Sequence, residues 1–90
     1  MELRRTVRVV NDQGLHARPC HSIVSRARNF QSELWFRNGA NPEVNGKSII
    51  QLMTLCASVG TELEVRASGA DAEILLSEIE SLFAAGFDEF

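Results

Sequence analysis

Four segments of the chain have the pattern of β-strands, because β-branched or aromatic residues cluster in them or alternate with polar residues. These segments are residues 6–10, 33–37, 43–45 and 62–67. Residues 62–67 alternate without a break, which predicts one wet face and one buried face. In residues 33–37 the same pattern places Leu34 and Phe36 toward the core and Trp35 on the opposite face.

The segment that follows Pro19 changes to a helical period. One apolar stripe recurs at three- and four-residue spacing, at Cys20, Ile23, Val24, Ala27 and Phe30. Pro19 suits the first turn of a helix, where its missing N–H would have no partner. The pattern therefore predicts a helix that begins near Ala17, with His16 at or beside its N-cap.

Two further helices are predicted downstream. Residues 48–58 are mostly apolar and indicate a short helix with Ser48 as its N-cap and Gly60 at its end. Its expected core stripe consists of Leu52, Leu55, Cys56 and Val59. Three apolar residues do not all fit that stripe, so that some of them should be exposed: Ile49, Ile50 and Met53. The last helix should end at Gly86, and its stripe consists of Leu75, Ile79, Leu82 and Phe83.

The predicted order of elements is β-α-β-β-α-β-α. Strands with one apolar face indicate a mixed or antiparallel sheet with its helices on one side, which is an α+β fold. Ninety residues suffice for one domain, so we expect residues 1–90 to form a single domain with a modest core. A chain this short favours a protein that presents a site to a larger partner.

Charge and apolar content narrow the classes of function. The net charge is −3 and the isoelectric point is near 5.3, so a nucleic-acid footprint over the whole chain is not expected. No apolar run approaches the roughly 20 residues that span a bilayer. The first residues lack the apolar segment of a secretory signal, and two cysteines without metal-ligand spacing suggest reduced thiols. We therefore expect a cytoplasmic protein that does not insert into membranes.

The segment with the most specific chemistry is residues 14–19, Gly-Leu-His-Ala-Arg-Pro. A helix N-terminus presents unpaired N–H groups and the positive end of the helix dipole, and both attract a phosphate dianion. The neutral imidazole of His16 is a nucleophile near pH 7. Arg18 adds a fixed charge with a planar fork of donors. These parts suit a phosphohistidine, and the sequence requires neither a metal nor another cofactor for it.

Three segments resemble the HPr family, the histidine phosphocarriers of the bacterial phosphotransferase system. Residues 14–19 are similar to the family's active-site signature. Residues 45–53, Asn-Gly-Lys-Ser-Ile-Ile-Gln-Leu-Met, resemble its segment around a regulatory serine, and residues 67–71 resemble the turn before its last helix. The matches follow the family's order over essentially the whole chain. The resemblance implies an HPr-like open-faced β-sandwich, a four-stranded antiparallel sheet with three helices on one face.

The resemblance also implies a role for each residue of this segment. His16 would be phosphorylated on Nδ1, Arg18 would assist the transfer, and the amides of Ala17 and Arg18 would help to hold the phosphate. The donor would be Enzyme I, charged from phosphoenolpyruvate, and the acceptors would be enzyme IIA domains in sugar uptake. Such a protein is a phosphoryl carrier rather than a self-sufficient enzyme, because its partners supply most of the machinery.

The second resembling segment implies regulation and docking. Ser48 corresponds to the serine that HPr kinase/phosphorylase modifies in species with that enzyme, and its alternative role is that of a simple N-cap. The family's exposed docking patch corresponds to Ile49, Ile50 and Met53, with Lys47 among the charges around it. The pattern favours Ile49 and Met53 over Ile50 as docking residues. We expect a monomer, because the docking face must stay open.

Three other functions are compatible with the sequence. A regulatory carrier in a nitrogen-type or permease-less system would use His16 in the same way. A small metal-binding module could use His16, Cys20, His21 and Cys56, and it predicts stoichiometric zinc in the purified protein. A binding module without chemistry predicts an unchanged mass after incubation with phosphoenolpyruvate and Enzyme I.

Overall fold

The structure is a computed structural model and describes residues 1–89. Its elements are β1 (Glu2–Arg8), α1 (Ala17–Ala27), β2 (Glu33–Arg37), β3 (Val44–Asn45), α2 (Ile49–Met53), β4 (Glu62–Ser68) and α3 (Ala72–Ala84). A short turn, Gly86–Asp88, follows α3. The strands pair antiparallel in the order β1-β4-β2-β3. The predicted order of elements and the predicted four-stranded antiparallel sheet are confirmed.

The core lies between one face of this sheet and the three helices. Alternate residues of β2 and β4 are buried, as the sequence predicted: Leu34, Phe36, Leu63, Val65 and Ala67. The helices add the buried residues of their apolar stripes, among them Ile23, Val24, Leu52, Leu75, Ile79 and Phe83. The fold is therefore an open-faced α+β sandwich with its helices on one face of the sheet.

The opposite face of the sheet carries charged side chains and Trp35. The guanidinium of Arg66 lies 5.5 Å from the centre of the Trp35 ring and donates to both carboxylate oxygens of Glu43 at 2.8 and 2.9 Å. Arg4 pairs with Glu64 at 3.0 Å. This face is polar because it faces solvent, while the alternate residues face the core.

All three helices are short. α1 has 11 residues, α2 has 5 and α3 has 13. Within residues 1–89 no helix has the length and apolar content needed to cross a bilayer. Isolated helices of this length are marginal in water, so their packing on the sheet supplies most of their stability.

β1 begins and ends earlier than predicted. The sequence placed a strand at residues 6–10, whereas the observed ladder with β4 covers residues 2–8. Two consecutive arginines hid the alternation of this strand. Arg4 pairs with Glu64 on the solvent face, whereas the Arg5 guanidinium lies 3.9 Å from Glu80 of α3. The aliphatic stem of an arginine can cover apolar surface, so its charge does not reveal its side of a strand.

α2 is shorter than predicted. The sequence placed a helix within residues 48–58, but α2 ends at Met53. Cys56 has a left-handed backbone conformation, with φ of 50°, which a right-handed helix cannot contain. The carbonyl of Leu55 accepts a hydrogen bond from the Asn38 side chain at 2.9 Å. This long-range contact is one that periodicity along the chain does not encode.

The predicted core stripe of this segment is correct at two positions and wrong at two. Leu52 and Leu55 are buried. Cys56 and Val59 are exposed, Val59 by 51%. The stripe assumed continuous helical spacing to residue 59, and the end of α2 at residue 53 removes that spacing.

The carboxylate of Asp71, just before α3, binds the loop between α1 and β2. Asp71 accepts hydrogen bonds from the backbone amides of Gln31 and Ser32, both at 2.9 Å, and from the Ser32 hydroxyl. The Ser32 hydroxyl bond and then the Gln31 amide bond lower the pKa of Asp71 from its usual value, although desolvation opposes them. The loop between α1 and β2 is thereby tied to the start of α3.

Candidate functional site

His16 is the N-cap residue of α1, as predicted, with an extended backbone at φ −81° and ψ −170°. The loop before it is held by hydrogen bonds from the Leu15 amide to the Ala57 carbonyl, 2.9 Å, and from the His16 amide to the Gly14 carbonyl, 3.0 Å. Gly14 has φ of +70°, and a Cβ there would lie 2.6 Å from the Ala57 oxygen, so only glycine fits. The loop thereby places a 35% exposed imidazole at the start of the helix.

The carboxylate of Glu89 lies against this imidazole. Its Oε2 is 2.8 Å and its Oε1 is 3.0 Å from Nε2 of His16. The Glu89 side chain is only 14% exposed. The two residues are 73 positions apart in the sequence, and the contact was not predicted.

Asn11 joins this carboxylate to the loop before α1. Its fully buried side-chain amide donates to Oε1 of Glu89 at 2.9 Å and to the Gly14 carbonyl at 2.8 Å. The hydrogen bond with His16, and secondarily the one from Asn11 and the charge of Arg18, lower the pKa of Glu89, while desolvation opposes them. Glu89 is therefore a carboxylate near neutral pH.

Glu89 reaches the site through a left-handed turn. Gly86, Phe87 and Asp88 have φ values of 60°, 55° and 60°. Two of these are not glycine, and each left-handed residue with a side chain costs on the order of 1 kcal/mol or more. The Phe87 ring packs edge-on against Phe83 at 4.8 Å between centroids, which offsets part of that cost. The turn directs the chain back toward His16.

Ala17 and Arg18 lie in the first turn of α1, and both are exposed. Within the described residues, the N-cap side chain makes no capping hydrogen bond to this turn. The Arg18 guanidinium also makes no hydrogen bond or ion pair with any of residues 1–89. An anion next to His16 could therefore meet both the positive end of the helix and the Arg18 guanidinium. The structure thus places the three residues of the predicted phosphate site together.

Ser48 caps α2, as predicted. Its backbone is extended, and its Oγ accepts a hydrogen bond from the Gln51 amide at 3.2 Å. The side chain of Gln51 accepts in turn from the amide of Asn45 at 2.9 Å. The hydroxyl of Ser48 therefore has a structural role in the unmodified protein.

The three predicted docking residues differ in exposure. Ile50 is 81% exposed and Met53 is 46% exposed, whereas Ile49 is partly buried against the core. α2 turns Ile50 outward and Ile49 toward the core, so exposure alone does not favour Ile49 over Ile50, and the docking preference stays a prediction. Lys47 is partly buried, and its ammonium donates to the carbonyl of Phe30 at 2.8 Å, so one of its three donors is already engaged.

The residues of the metal-binding alternative do not form a cluster. Cys20 is buried beneath the site with its thiol 3.7 Å from the Leu15 carbonyl, and burial raises its pKa to about 11. His21 and Cys56 are exposed. Across residues 1–89, no group of three or more His, Cys, Asp or Glu side chains is placed to hold a metal ion.

Sequence reasoning therefore located His16, Ala17, Arg18 and Ser48 at their helix ends but missed Glu89 and Asn11. Asn11 lies in the polar run Asn-Asp-Gln-Gly, whose composition is typical of a loop and indicates no specific contact. For Glu89 the available signal was Gly86, which was taken as the end of a helix and also permits a left-handed turn.

Comparisons with known proteins agree with this geometry. Residues 3–85 match the family described as the PTS HPr component phosphorylation site. The phosphocarrier protein NPr of Escherichia coli K12 is 35% identical over 89 residues, which cover 99% of each chain. The phosphocarrier protein HPr of Treponema pallidum is 42% identical over 85 residues, 94% of this chain and 96% of that one.

Solved structures give the same result. HPr-C-His from Thermoanaerobacter tengcongensis superposes with a TM-score of 0.91 and 34% identity, covering 98% of both chains. The catabolite repression protein Crh of Bacillus subtilis has a TM-score of 0.75 and 32% identity over 93% of this chain and 95% of that chain, and it is described as a dimer with a swapped domain. The fold and the sequence thus point to one family of carriers.

Proposed function

The chain belongs to the HPr family of phosphocarriers, and we propose that it accepts a phosphoryl group on Nδ1 of His16 and passes it to another protein. The observation that carries the proposal is the position of His16. Its partly exposed ring lies at the start of α1, next to the first-turn residues Ala17 and Arg18. We further propose that residues 1–90 form one domain of this family.

The proposed transfer exchanges one P–N bond for another. The Nδ1 lone pair attacks the phosphorus of a phosphohistidine on the donor, and the electron pair of the breaking P–N bond returns to the donor's ring nitrogen. Charge on the three equatorial oxygens meets the Arg18 guanidinium and the amides of Ala17 and Arg18. The second transfer repeats the exchange, with Nδ1 as the leaving group.

The proposed partners are Enzyme I as donor and enzyme IIA domains as acceptors. Both would dock on the surface that contains Ile50 and Met53, with Ile49 at its edge and Lys47 beside it. Small exposed apolar groups near charged ones are typical of transient interfaces. The proposal places the carrier in the cytoplasm as a monomer, since a dimer through this surface would cover it.

For the pathway, we propose sugar uptake first and a regulatory, nitrogen-type carrier second. The setting of Ser48, Lys-Ser-Ile-Ile, is the feature that favours the first. Ser48 is the proposed target of HPr kinase/phosphorylase. A phosphate there would sit at the N-terminus of α2, where the dipole favours it, and would add negative charge beside Ile50. The two pathways differ in their acceptors and use His16 alike.

The decisive experiment is intact-mass spectrometry at neutral to alkaline pH. The protein is incubated with phosphoenolpyruvate, Mg²⁺ and its cognate Enzyme I, and one acid-labile phosphoryl group is expected. His16→Ala should abolish the gain. His21→Ala is the matched control, because His21 is an exposed histidine of the same helix, and it should retain the gain in full.

Two results would count against the proposal. No gain of mass with an Enzyme I of proven activity would leave a binding module on an HPr fold. A gain that survives His16→Ala would place the phosphoryl group elsewhere. Ser48→Ala, incubated with HPr kinase/phosphorylase and ATP beside the wild type, separately tests the acid-stable modification.

A further inference from the structure

We infer that Glu89 is a positioning residue, which holds the proton of His16 on Nε2 and so assigns the phosphoryl group to Nδ1; this inference rests on the phosphocarrier function proposed above. The carboxylate contacts the ring nitrogen opposite the reacting one. It therefore acts through the imidazole and does not touch the phosphoryl group.

The direction of the hydrogen bonds between Glu89 and His16 determines which ring nitrogen carries the proton. Both oxygens of Glu89 lie within 3.0 Å of Nε2. An ionised carboxylate can only accept hydrogen bonds. In the neutral ring the nitrogen facing it must therefore carry the proton, and the lone pair resides on Nδ1.

A hydrogen bond from Asn11 holds the carboxylate of Glu89 in place. Asn11 is fully buried, and its amide donates to Oε1 of Glu89 at 2.9 Å. The same amide donates to the Gly14 carbonyl, two residues before His16. The buried amide of Asn11 thus binds both the carboxylate and the loop that carries the imidazole. Their relative position is fixed, which limits rotation of the ring.

The two ring nitrogens of His16 differ in their access to an incoming phosphoryl group. The carboxylate covers Nε2, and its negative charge repels an incoming phosphoryl group. Among residues 1–89, Nδ1 makes no hydrogen bond, and the exposed first turn of α1 lies beside the ring. Glu89 therefore disfavours attack through Nε2 while it leaves Nδ1 as the nucleophile.

The charge of the His16 ring changes during phosphoryl transfer. When neutral Nδ1 forms its bond to phosphorus and Nε2 keeps its proton, the ring gains one positive charge. The carboxylate 2.8 Å away stabilises that charge. When the phosphoryl group leaves, the electron pair of the P–N bond returns to Nδ1 and the ring is neutral again, so the proton on Nε2 also maintains a good leaving group.

The experiment compares wild type with Glu89→Gln, Glu89→Ala and the matched control Glu73→Gln, which changes an exposed glutamate in the first turn of α3. The first readout is the ¹⁵N NMR spectrum of the His16 ring in the unmodified proteins at a pH where the ring is neutral. Wild type and control should show Nε2–H. Glu89→Gln should shift toward Nδ1–H, because its amide can donate to Nε2, and Glu89→Ala should give a mixture.

The second readout is transfer from Enzyme I and the phosphorylated nitrogen, followed by ³¹P and ¹⁵N NMR. A carboxylate that orients a metal-bound histidine acts through the ring in the same way, and its loss typically costs about 10- to 100-fold in metal affinity or activity. We expect that fall for both Glu89 variants, with a share of phosphate on Nε2 in Glu89→Ala. Circular dichroism of each variant checks that the fold is retained.

Wild-type Nδ1–H, or Glu89 variants with unchanged tautomer and transfer, would overturn the inference. The proposed function fails in a distinguishable way. If wild type shows Nε2–H, the Glu89 variants lose it and no protein accepts phosphate from an active Enzyme I, the tautomer assignment stands and the carrier role is wrong.

Discussion

Asp71 and Glu89 are carboxylates with the same kind of contacts at two places in the molecule. Each accepts hydrogen bonds from groups far away in sequence, and these bonds lower the pKa of each. Asp71 accepts from two backbone amides and from the Ser32 hydroxyl. Glu89 accepts from a side-chain amide and from the imidazole of His16.

The difference lies in the donors. The amides and the hydroxyl that face Asp71 keep their protons at any pH at which the protein is folded. The contacts of this carboxylate therefore stabilise the loop between α1 and β2 and do not bias the chemistry of a partner. The imidazole that faces Glu89 has two ring nitrogens, and in the neutral ring the proton can lie on either of them. Similar geometry therefore stabilises a loop in one place and, by the inference above, would fix the tautomer of the proposed phosphoryl acceptor in the other.

The largest effect on stability is expected from Asp71→Ala. The change leaves three donors without their acceptor, and Ser32 is 99% buried, with 1% exposed. Buried donors without a partner are expensive. Thermal unfolding followed by circular dichroism should show a greater loss of Tm than Asn11→Ala gives, while phosphoryl acceptance at a temperature where the variant is folded stays at the wild-type rate.

Asp12→Ala is a suitable control for this change, since Asp12 is an exposed aspartate. Its Tm should match that of wild type. A slow transfer by folded Asp71→Ala would break the distinction between the two carboxylates.

An intermediate effect on stability is expected from Asn11→Ala, because Asn11 both holds the loop before α1 and positions the carboxylate of Glu89. It leaves the Gly14 carbonyl without its side-chain donor and removes one of the partners of Glu89. Loss of a buried hydrogen-bond partner costs about 1–3 kcal/mol, which urea unfolding measures. Transfer should also slow, because the carboxylate is less rigid. A loss of stability with an unchanged His16 tautomer would show that Glu89 needs no support from Asn11.

The smallest effect is expected from mild acid. Both carboxylates have a lower pKa in the folded protein, so their contribution to stability is present above the unfolded values, about 3.9 for Asp and 4.3 for Glu, and is lost as the pH falls below them. The stability difference between wild type and Asp71→Asn, from urea unfolding, should be constant from neutral pH to about pH 5 and should shrink toward pH 3. A constant difference down to pH 3 would contradict the lowered pKa of Asp71.

Local signals along the chain were enough to predict most of the fold. The uninterrupted alternation of β4 and the stripe of α1 each repeat one geometric period, so the buried side of each element followed directly. The position of His16 at the start of α1 followed from Pro19 and the helical period. The roles of His16 and Arg18 rested on resemblance, because a histidine at a helix end has no specific chemistry by itself.

The errors at α2 and at Glu89 share a physical cause, which is dependence on distant partners. α2 stops where Leu55 bonds to Asn38 and Cys56 takes a left-handed conformation, and neither feature has a periodic signature. Glu89 lies 73 residues from His16. A one-dimensional pattern identifies the faces of elements, whereas contacts between their ends depend on how the elements assemble.

The uncapped start of α1 has a consequence for the loaded carrier. His16 occupies the N-cap position, but within residues 1–89 its side chain makes no capping hydrogen bond. A phosphoryl group on Nδ1 would supply acceptor oxygens and negative charge at the place where serine or aspartate normally supplies them. The phosphoryl group would thus cap the helix. Any stabilisation that it gives to α1 would be lost when the acceptor protein removes it, and this loss would count against the transfer.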